Sequence, residues 1–512
     1  MKAKPAPTAD RPHITQVVDD EERLETFVAP PDWQNPEPAE RYNLVVVGGG
    51  TAGLVAAAGA AGLGARVALI EKHALGGDCL NVGCVPSKAL IASGRALADA
   101  RRLSVFGGEA DGVRGDFAEI AARMRRLRVD ISRHDAAERF RDLGVDVFFG
   151  AGAFTAKDRL VVGGQELRFA RACIATGSRA SSLPIEGLEE TGYLTNENLF
   201  DLTELPRRLL VLGAGPIGCE MAQSFARFGS QVTVLELMPR VLFREWEGAS
   251  RVVHDALVHD GIRVELAVKT QRVRRVDGEI EVEFVREDEP SALRCDAILV
   301  AGGRIPVTQG LGLEAAGVEQ DPRLGVTVDD RLRTSNPRIF AAGDVASRYK
   351  FTHAADALAR IVIRNALFMG REKVSNLVIP WCTYTDPELS HVGMSEEEAK
   401  QNGIRYETLD LSWASLDRHV LESGGEALLH LLTSPGRGRI LGATLVGPQA
   451  GDLIAPFVLA MQQGIGMKSL SNLVLPYPTR GELLKKAGDA WNRRRLTPGV
   501  ARMFGWWMKL HR

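Results

Sequence analysis

Leu44-Val45-Val46-Val47-Gly48-Gly49-Gly50-Thr51-Ala52-Gly53 is the stretch that decides the fold. The apolar run reads as a buried parallel strand, the glycines as a tight turn, and the Ala-rich residues after them as a helix. A second strand, Val67-Ala68-Leu69-Ile70, ends on Glu71. The same device returns as Leu209-Leu210-Val211-Leu212, Gly213-Ala214-Gly215-Pro216-Ile217-Gly218, a helix, Val232-Thr233-Val234-Leu235 and Glu236. In both copies 23 residues separate the first glycine from the acid. The first glycine makes the turn, the second lets backbone approach a pyrophosphate, and the third lets helix and strand pack closely. The acid accepts a ribose hydroxyl. One such turn is a weak signal. Two complete units at equal spacing predict an α/β chain with two Rossmann-like domains, each holding a dinucleotide. An enzyme carrying two usually keeps one as a resident redox cofactor.

Composition agrees. The 512 residues suggest about three domains. Lys plus Arg number 63 against 65 Asp plus Glu, which excludes a nucleic-acid-binding charge pattern. Six cysteines in a chain of this length form no disulfide scaffold and predict a cytoplasmic protein. Leu44 to Ala65 is uncharged for 22 residues, long enough to cross a bilayer. Seven of those residues are glycine, clustered where a strand turns into a helix, so a buried strand–loop–helix is expected instead. Residues 1–40 hold seven of the 24 prolines and no apolar run, and are expected to form a flexible or extended arm.

After the first unit comes Gly76-Gly77-Asp78-Cys79-Leu80-Asn81-Val82-Gly83-Cys84-Val85-Pro86-Ser87-Lys88. Cys79 and Cys84 are separated by one helical turn with a Gly kink, which brings their sulfurs within reach of a bond. The spacing is not that of a zinc site, and no metal site is expected. Lys88, four residues beyond Cys84, falls on the same helical face and would favour a thiolate. The alternative is a pair of buried structural thiols. Cys173, Cys219, Cys295 and Cys382 lie in apolar contexts and read as inert.

Residues 76–88, together with the two glycine turns, resemble the flavoprotein disulfide reductases, the class I pyridine nucleotide-disulfide oxidoreductases. Further matching segments are Ala175-Thr176-Gly177, Val300-Ala301-Gly302-Gly303-Arg304-Ile305-Pro306 and Ala341-Ala342-Gly343-Asp344. The resemblance runs from about Arg41 to about Trp491. Phe351-Thr352-His353, the segment Pro380 to Pro387, and Asp417-Arg418 look nearest to the mercuric-reductase-like branch, with dihydrolipoyl dehydrogenase also similar. The resemblance implies FAD in the first unit, at Gly48, Gly50, Gly53 and Glu71, with Asp344 on the ribityl chain. It implies NADH in the second, at Gly213, Gly215, Gly218 and Glu236. Gly77, Thr176, Gly177, Gly303 and Gly343 are carried over as further cofactor contacts. Lys88, paired with Glu220, would sit beside the flavin. Cys84 would face the flavin, and Cys79 would be the outer sulfur that meets a small-molecule or metal-ion oxidant.

Glu236 favours NADH, because a carboxylate binds both ribose hydroxyls and repels a 2′-phosphate. Arg240 and Arg244, just beyond it, keep NADPH as the alternative. The family pattern breaks at Tyr477-Pro478-Thr479-Arg480-Gly481-Glu482. Thiol-handling members carry His where Tyr477 stands, oriented by an acid at the Glu482 position and reaching the partner's site in a homodimer. An unperturbed phenol ionises near pKa ~10 against ~6.5 for imidazole. Loss of a positioned acid–base typically costs about 10²–10⁴-fold in rate. Rapid disulfide chemistry is therefore disfavoured, and the resemblance to mercuric reductases, which also carry Tyr here, suits a soft metal held by thiolates, with thiol exchange left as the other route to the acceptor. The last cysteine is Cys382, so the vicinal C-terminal pair that delivers Hg(II) is missing. His353, His391 and His419 are the other imidazoles considered as a shuttle, and each reads better as structural. The remaining readings are a disulfide reductase with an altered shuttle, a membrane-docked electron donor to a quinone or protein, and a non-catalytic flavoprotein.

The segments expected are the arm over 1–40, an FAD domain over 41–200 resumed at 321–380, and a nicotinamide domain over 201–320. An α+β dimerisation domain follows over 381–490, and a basic tail over 491–512. Residues 485–512 hold eight Lys/Arg against Asp489 alone, with Phe504, Trp506, Trp507 and Met508 among them. Such a tail either packs on a partner subunit or makes peripheral contact with a membrane.

Overall fold

Both glycine-turn units form strand–turn–helix–strand elements in the computed structural model, which describes residues 15–512. In the first, strand Tyr42–Val47 lies parallel between Val67–Glu71 and Gln165–Ile174, with Val46 paired to Leu69 and to Cys173. Val145–Phe149 extends this sheet on one side, and the Ala153–Ala156/Arg159–Val162 hairpin extends it on the other. The strands at the centre are buried on both faces, as a parallel sheet covered by helices requires. Helix Thr51–Gly62 packs against helix Thr352–Leu367 so closely that a Cβ on Gly59 would stand 2.6 Å from Cδ1 of Ile363. The uncharged run at 44–65 is thus a strand, a turn and a helix. No helix among the described residues is long and apolar enough to cross a membrane.

The second unit builds a parallel sheet in the order Arg263–Glu265, Gln231–Leu235, Arg208–Leu212, Ala297–Val300. A three-stranded antiparallel meander over Val268–Val276, Glu279–Arg286 and Glu289–Cys295 flanks it. The chain then returns, and Ile339–Ala341 adds to the first sheet beside Gln165–Ile174. A five-stranded antiparallel sheet between Pro380 and Gly447 forms the last domain. Helices Ala455–Gln462 and Glu482–Arg494 contribute Phe457, Leu483 and Trp491 to its core. This is the expected fold class, two dinucleotide-type α/β domains and an α+β C-terminal domain.

Two expectations need correction. The chain passes between the first two domains through the short ladder Ser178–Ala180/Arg304–Pro306. Beyond that crossing, Leu188, Leu199 and Phe200 bury in the cores of the second unit. On the way back Leu311, Leu313 and Val318 already bury against the first sheet. The two crossings of the chain lie near 180 and 306, some way before the expected boundaries at 200 and 320. Irregular connecting segments carry no hydrophobic period that would have marked them.

The N-terminal arm is also not loose over the residues described. Thr15–Val28 is a helix whose Leu24 and Val28 enter the core of the first domain beside Val129 and Phe140. Arg128, buried on helix Phe117–Ser132, pairs with Glu21. The proline-bearing stretch after the helix runs along the outer edge of the sheet. There Trp33 donates to the carbonyl of Val147 (3.1 Å), and Asn35 exchanges two hydrogen bonds with the backbone of Phe149 (2.9 and 2.8 Å). The arm covers an edge strand that would otherwise present unpaired backbone groups. The flexible arm expected for residues 1–14 lies outside the described residues.

Candidate active site

The two turns are built alike down to single hydrogen bonds. Glu71 accepts the N–H of Gly49 on one oxygen (2.6 Å) and that of His73 on the other (2.7 Å). Glu236 does the same with Ala214 (2.5 Å) and Met238 (2.8 Å). Each carboxylate is thereby fixed in one rotamer, at the end of its strand and facing the turn. Each oxygen keeps a lone pair for a ribose hydroxyl. Gly48 and Gly213 take φ of 110° and 104°, where a side chain would be strained and would strike the carbonyls of Ala175 and Ala301. A Cβ on Gly215 would meet nothing within 4 Å and one on Gly50 only backbone at 3.7 Å, so these positions leave open space in front of a helix N-terminus. That space suits a pyrophosphate. Gly53 and Gly218 face away from it. A Cβ there would lie 1.8 and 2.0 Å from the carbonyl oxygens of Gly48 and Gly213, so these glycines serve the packing of the turn.

One continuous cleft of about 3180 Å³ joins the two turns. It takes in every residue expected at the site except Gly53, Gly218, Tyr477 and Glu482. Its size and two matching cradles fit two dinucleotides end to end.

The cysteines lie at its centre. Cys79 sits on the short helix Gly77–Asn81, and Cys84 is the first residue of helix Cys84–Arg101. Their thiols act directly on one another's ionisation. The hydroxyl of Thr352, itself the first residue of helix Thr352–Leu367, stands 3.3 Å from the sulfur of Cys84. Two helix N-termini and the Lys88 ammonium thus converge on one sulfur. The Cys79 thiol, then Thr352 and the charge of Lys88, hold the Cys84 thiol down at about 6. The same pairing, with burial, drives Cys79 upward. The proton of the pair therefore stays on Cys79 while Cys84 carries the charge.

Lys88 donates to Glu220 at 2.8 Å, and the other oxygen of Glu220 accepts the N–H of Tyr384 at 2.9 Å. The ammonium also stands 4.6 Å over the Tyr384 ring. Glu220 is almost fully buried on helix Pro216–Phe228, so this one carboxylate ties together all three domains. A second tie is the bond from the indole of Trp381 to Glu245 (2.7 Å), whose carboxyl burial pushes up to about 7. Asp344 accepts from Ser178 at 2.6 Å, and Arg304 bridges Asp344, Ser178 and Asp78 across the cleft floor. The contacts of Thr352 with Cys84 and of Tyr384 with Lys88 and Glu220, and that of Arg304 with Asp78 and Asp344, were not expected from the sequence.

The histidines are committed elsewhere. His353 bonds the carbonyl of Pro380 (2.6 Å), and His419 that of Gly425 (2.7 Å). His391 is buried between Thr444 and the carbonyl of Gly393, and desolvation drops it to about 4. It is neutral at physiological pH. Tyr477 is 71% exposed, at the outer face of the C-terminal domain, and donates to Asp417 at 2.5 Å. Glu482 begins the helix that follows. Neither reaches the cysteines of its own chain.

Comparison with known proteins fits this geometry. Residues 42–359 match the pyridine nucleotide-disulphide oxidoreductase family, and residues 379–488 match its dimerisation domain. The chain is 34% identical over 457 residues to a mercuric reductase of Streptomyces lividans, covering 88% of this chain and 96% of that one. It is 32% identical over 462 residues to a dihydrolipoyl dehydrogenase of Thermus scotoductus, covering 88% and 98%. Among solved structures, the Cu(II) complex of the HOCl-induced flavoprotein disulfide reductase RclA from Escherichia coli superposes with a TM-score of 0.78 at 29% identity. That match covers 88% of this chain and 99% of the other.

Proposed function

From the premise that the chain belongs to the pyridine nucleotide-disulphide oxidoreductase family, we propose that it is a reductase that passes electrons from NADH through FAD and the Cys79–Cys84 pair to a thiophilic metal ion. When bound, FAD supplies the two-electron relay between the reduced nicotinamide and the disulfide. The chain's own residues do the rest. Glu71 and Glu236 each hold a ribose, and the open turns at Gly50 and Gly215 receive the pyrophosphates. Lys88, fixed by Glu220, presents a cation at the centre of the cleft. Two electrons and one proton open the disulfide to a thiol at Cys79 and a thiolate at Cys84. The incoming metal cation displaces the Cys79 proton to solvent, which leaves two thiolates as its ligands. Their re-formation of a disulfide returns two electrons, enough to reduce Hg(II) to the metal or two Cu(II) to Cu(I).

The observation that carries this reading is the asymmetric cysteine pair, with Thr352 and Lys88 around Cys84. The choice of a metal over a disulfide substrate is supported by Tyr477. Its bond to Asp417 raises the phenol further from the range in which it could accept a proton. Of the imidazoles that line the cleft, His353, His391 and His430 are engaged by hydrogen bonds, and His73 stands at the far end of it beside Glu71. The likeness to mercuric reductases, and to a reductase solved as a Cu(II) complex, points the same way. NADH is preferred because Glu236 occupies the ribose side and Arg240 is spent on the carbonyls of Phe243 and Glu245.

The test is anaerobic turnover of the purified holoenzyme with NADH against Hg(II), Cu(II), lipoamide and oxidised glutathione. Metal turnover is expected to exceed disulfide turnover, to be abolished in Cys79→Ser and Cys84→Ser, and to fall when NADPH replaces NADH. Disulfide turnover that matches metal turnover would overturn the choice of acceptor, and equal kcat/KM for NADPH the choice of nucleotide.

A further inference from the structure

The match to the dimerisation domain ends at residue 488, and the chain continues as a helix, Pro498–Leu510, which buries none of its residues. It is capped by Thr497, whose hydroxyl accepts the N–H of Val500, and begins with Pro498, so it is a deliberate element with its own start signal. Its root is fixed. Trp491 is buried in the core of the C-terminal domain, Arg495 lies over its ring, and Arg494 bonds the carbonyl of Thr408.

The helix is sided. Val500, Met503, Phe504 and Trp507 recur at the helical period, and Trp506, Met508 and Leu510 widen that face to an apolar arc of roughly 220°. Arg502 and Lys509, seven residues apart, share the narrow strip opposite. Trp506 and Trp507 are 63% and 53% exposed, although indole is seldom left to water without a partner. At 13 residues the helix is about 20 Å long, too short to span a bilayer of about 30 Å but long enough to lie along one.

Charge selects the occupant. Residues 491–512 hold six Lys/Arg and no Asp/Glu, which leaves 57 against 65 for the rest of the chain, a net charge of −8. An anionic surface would attract the tail and repel the body. We propose that the C-terminal helix lies in the interface of an anionic lipid bilayer, its Trp-bearing face in the acyl boundary and Arg502, Lys509 and Arg493 against the headgroups. The reductase body is thereby held at the membrane surface with its root at Trp491.

Full-length holoenzyme sedimented with phosphatidylcholine vesicles, with and without phosphatidylglycerol, tests this. Binding is expected to rise roughly tenfold or more with the anionic lipid and to be lost in about 0.5 M salt. It should also be lost in Phe504→Glu/Trp507→Glu and in Arg502→Glu/Lys509→Glu, while NADH turnover with a dye acceptor and the oligomeric mass stay unchanged. Two results would overturn it. One is equal pelleting of wild type and both variants. The other is no vesicle binding by wild type together with a change of oligomeric mass in the variants, which would make a second copy the occupant.

Discussion

At the scale of single residues, the site is organised around one charge. Cys84 is the first residue of its helix and faces Cys79, Thr352 and Lys88. Its folded-state value is depressed to about 6, so the thiolate is present above that pH and is lost as pH falls through it. In the two-electron-reduced holoenzyme, the thiolate's long-wavelength absorbance is expected to titrate as one proton with a midpoint near 6. It should be absent in Cys84→Ser. In Lys88→Met the midpoint should move up by as much as about one unit, since an adjacent cation is removed. A midpoint near the ordinary thiol value in wild type would contradict this assignment. Cys79, Cys84 and Lys88 were legible because they are neighbours in sequence and one helical turn relates them. Thr352 was not, because 268 positions separate it from Cys84 and only the return of the chain to the first sheet brings it there. Tyr384 and Arg304 were hidden for the same reason.

Secondary-structure elements show where sequence pattern succeeds and where it fails. The two strand–turn–helix–strand units were plain because each needs its glycines at fixed positions for steric reasons that a Cβ would violate. Gly53 and Gly218 let the helix seat on the turn, since a Cβ at either would strike the carbonyl of Gly48 or Gly213. The N-terminal helix was missed. Its composition is polar, and its anchors are scattered: Leu24 and Val28 in the core, Glu21 on the buried Arg128, Trp33 and Asn35 on a sheet edge. No run of apolar residues announces such a segment, because its partners lie more than a hundred positions away. Leu24→Ala is expected to destabilise the first domain by about 2–4 kcal/mol, as a buried large-to-small change does. The exposed neighbour substitution Glu25→Ala should stay within about 0.5 kcal/mol. Urea unfolding followed by flavin release would compare them, and equal midpoints would show the arm to be dispensable.

For the molecule as a whole, the fold class and the order of domains followed from the repeat, whereas the crossing points did not. Those lie in the short ladder Ser178–Ala180/Arg304–Pro306, whose strands are three residues each and have no pattern of their own. Tyr477 belongs to this scale too. It stands on the dimerisation domain, exposed and outside its own cleft, and we propose that it completes the partner's site in a homodimer. Mixed dimers are expected to behave accordingly. A dimer of one Cys79→Ser chain and one Tyr477→Phe chain holds one intact site only if Tyr477 serves the partner, and none if it serves its own chain. Metal turnover of such heterodimers is therefore expected at about half the wild-type rate; turnover no higher than that of Tyr477→Phe homodimers would place the tyrosine in its own subunit's site. The single carboxylate of Glu220, shared by Lys88 and the backbone of Tyr384, has a different consequence. It makes the three modules mutually dependent, so a chimera assembled by trading one of them with a distant homologue would inherit an ammonium without a counter-ion or an amide without an acceptor. Recombination within this lineage is constrained to partners that already carry an acid at the position of residue 220.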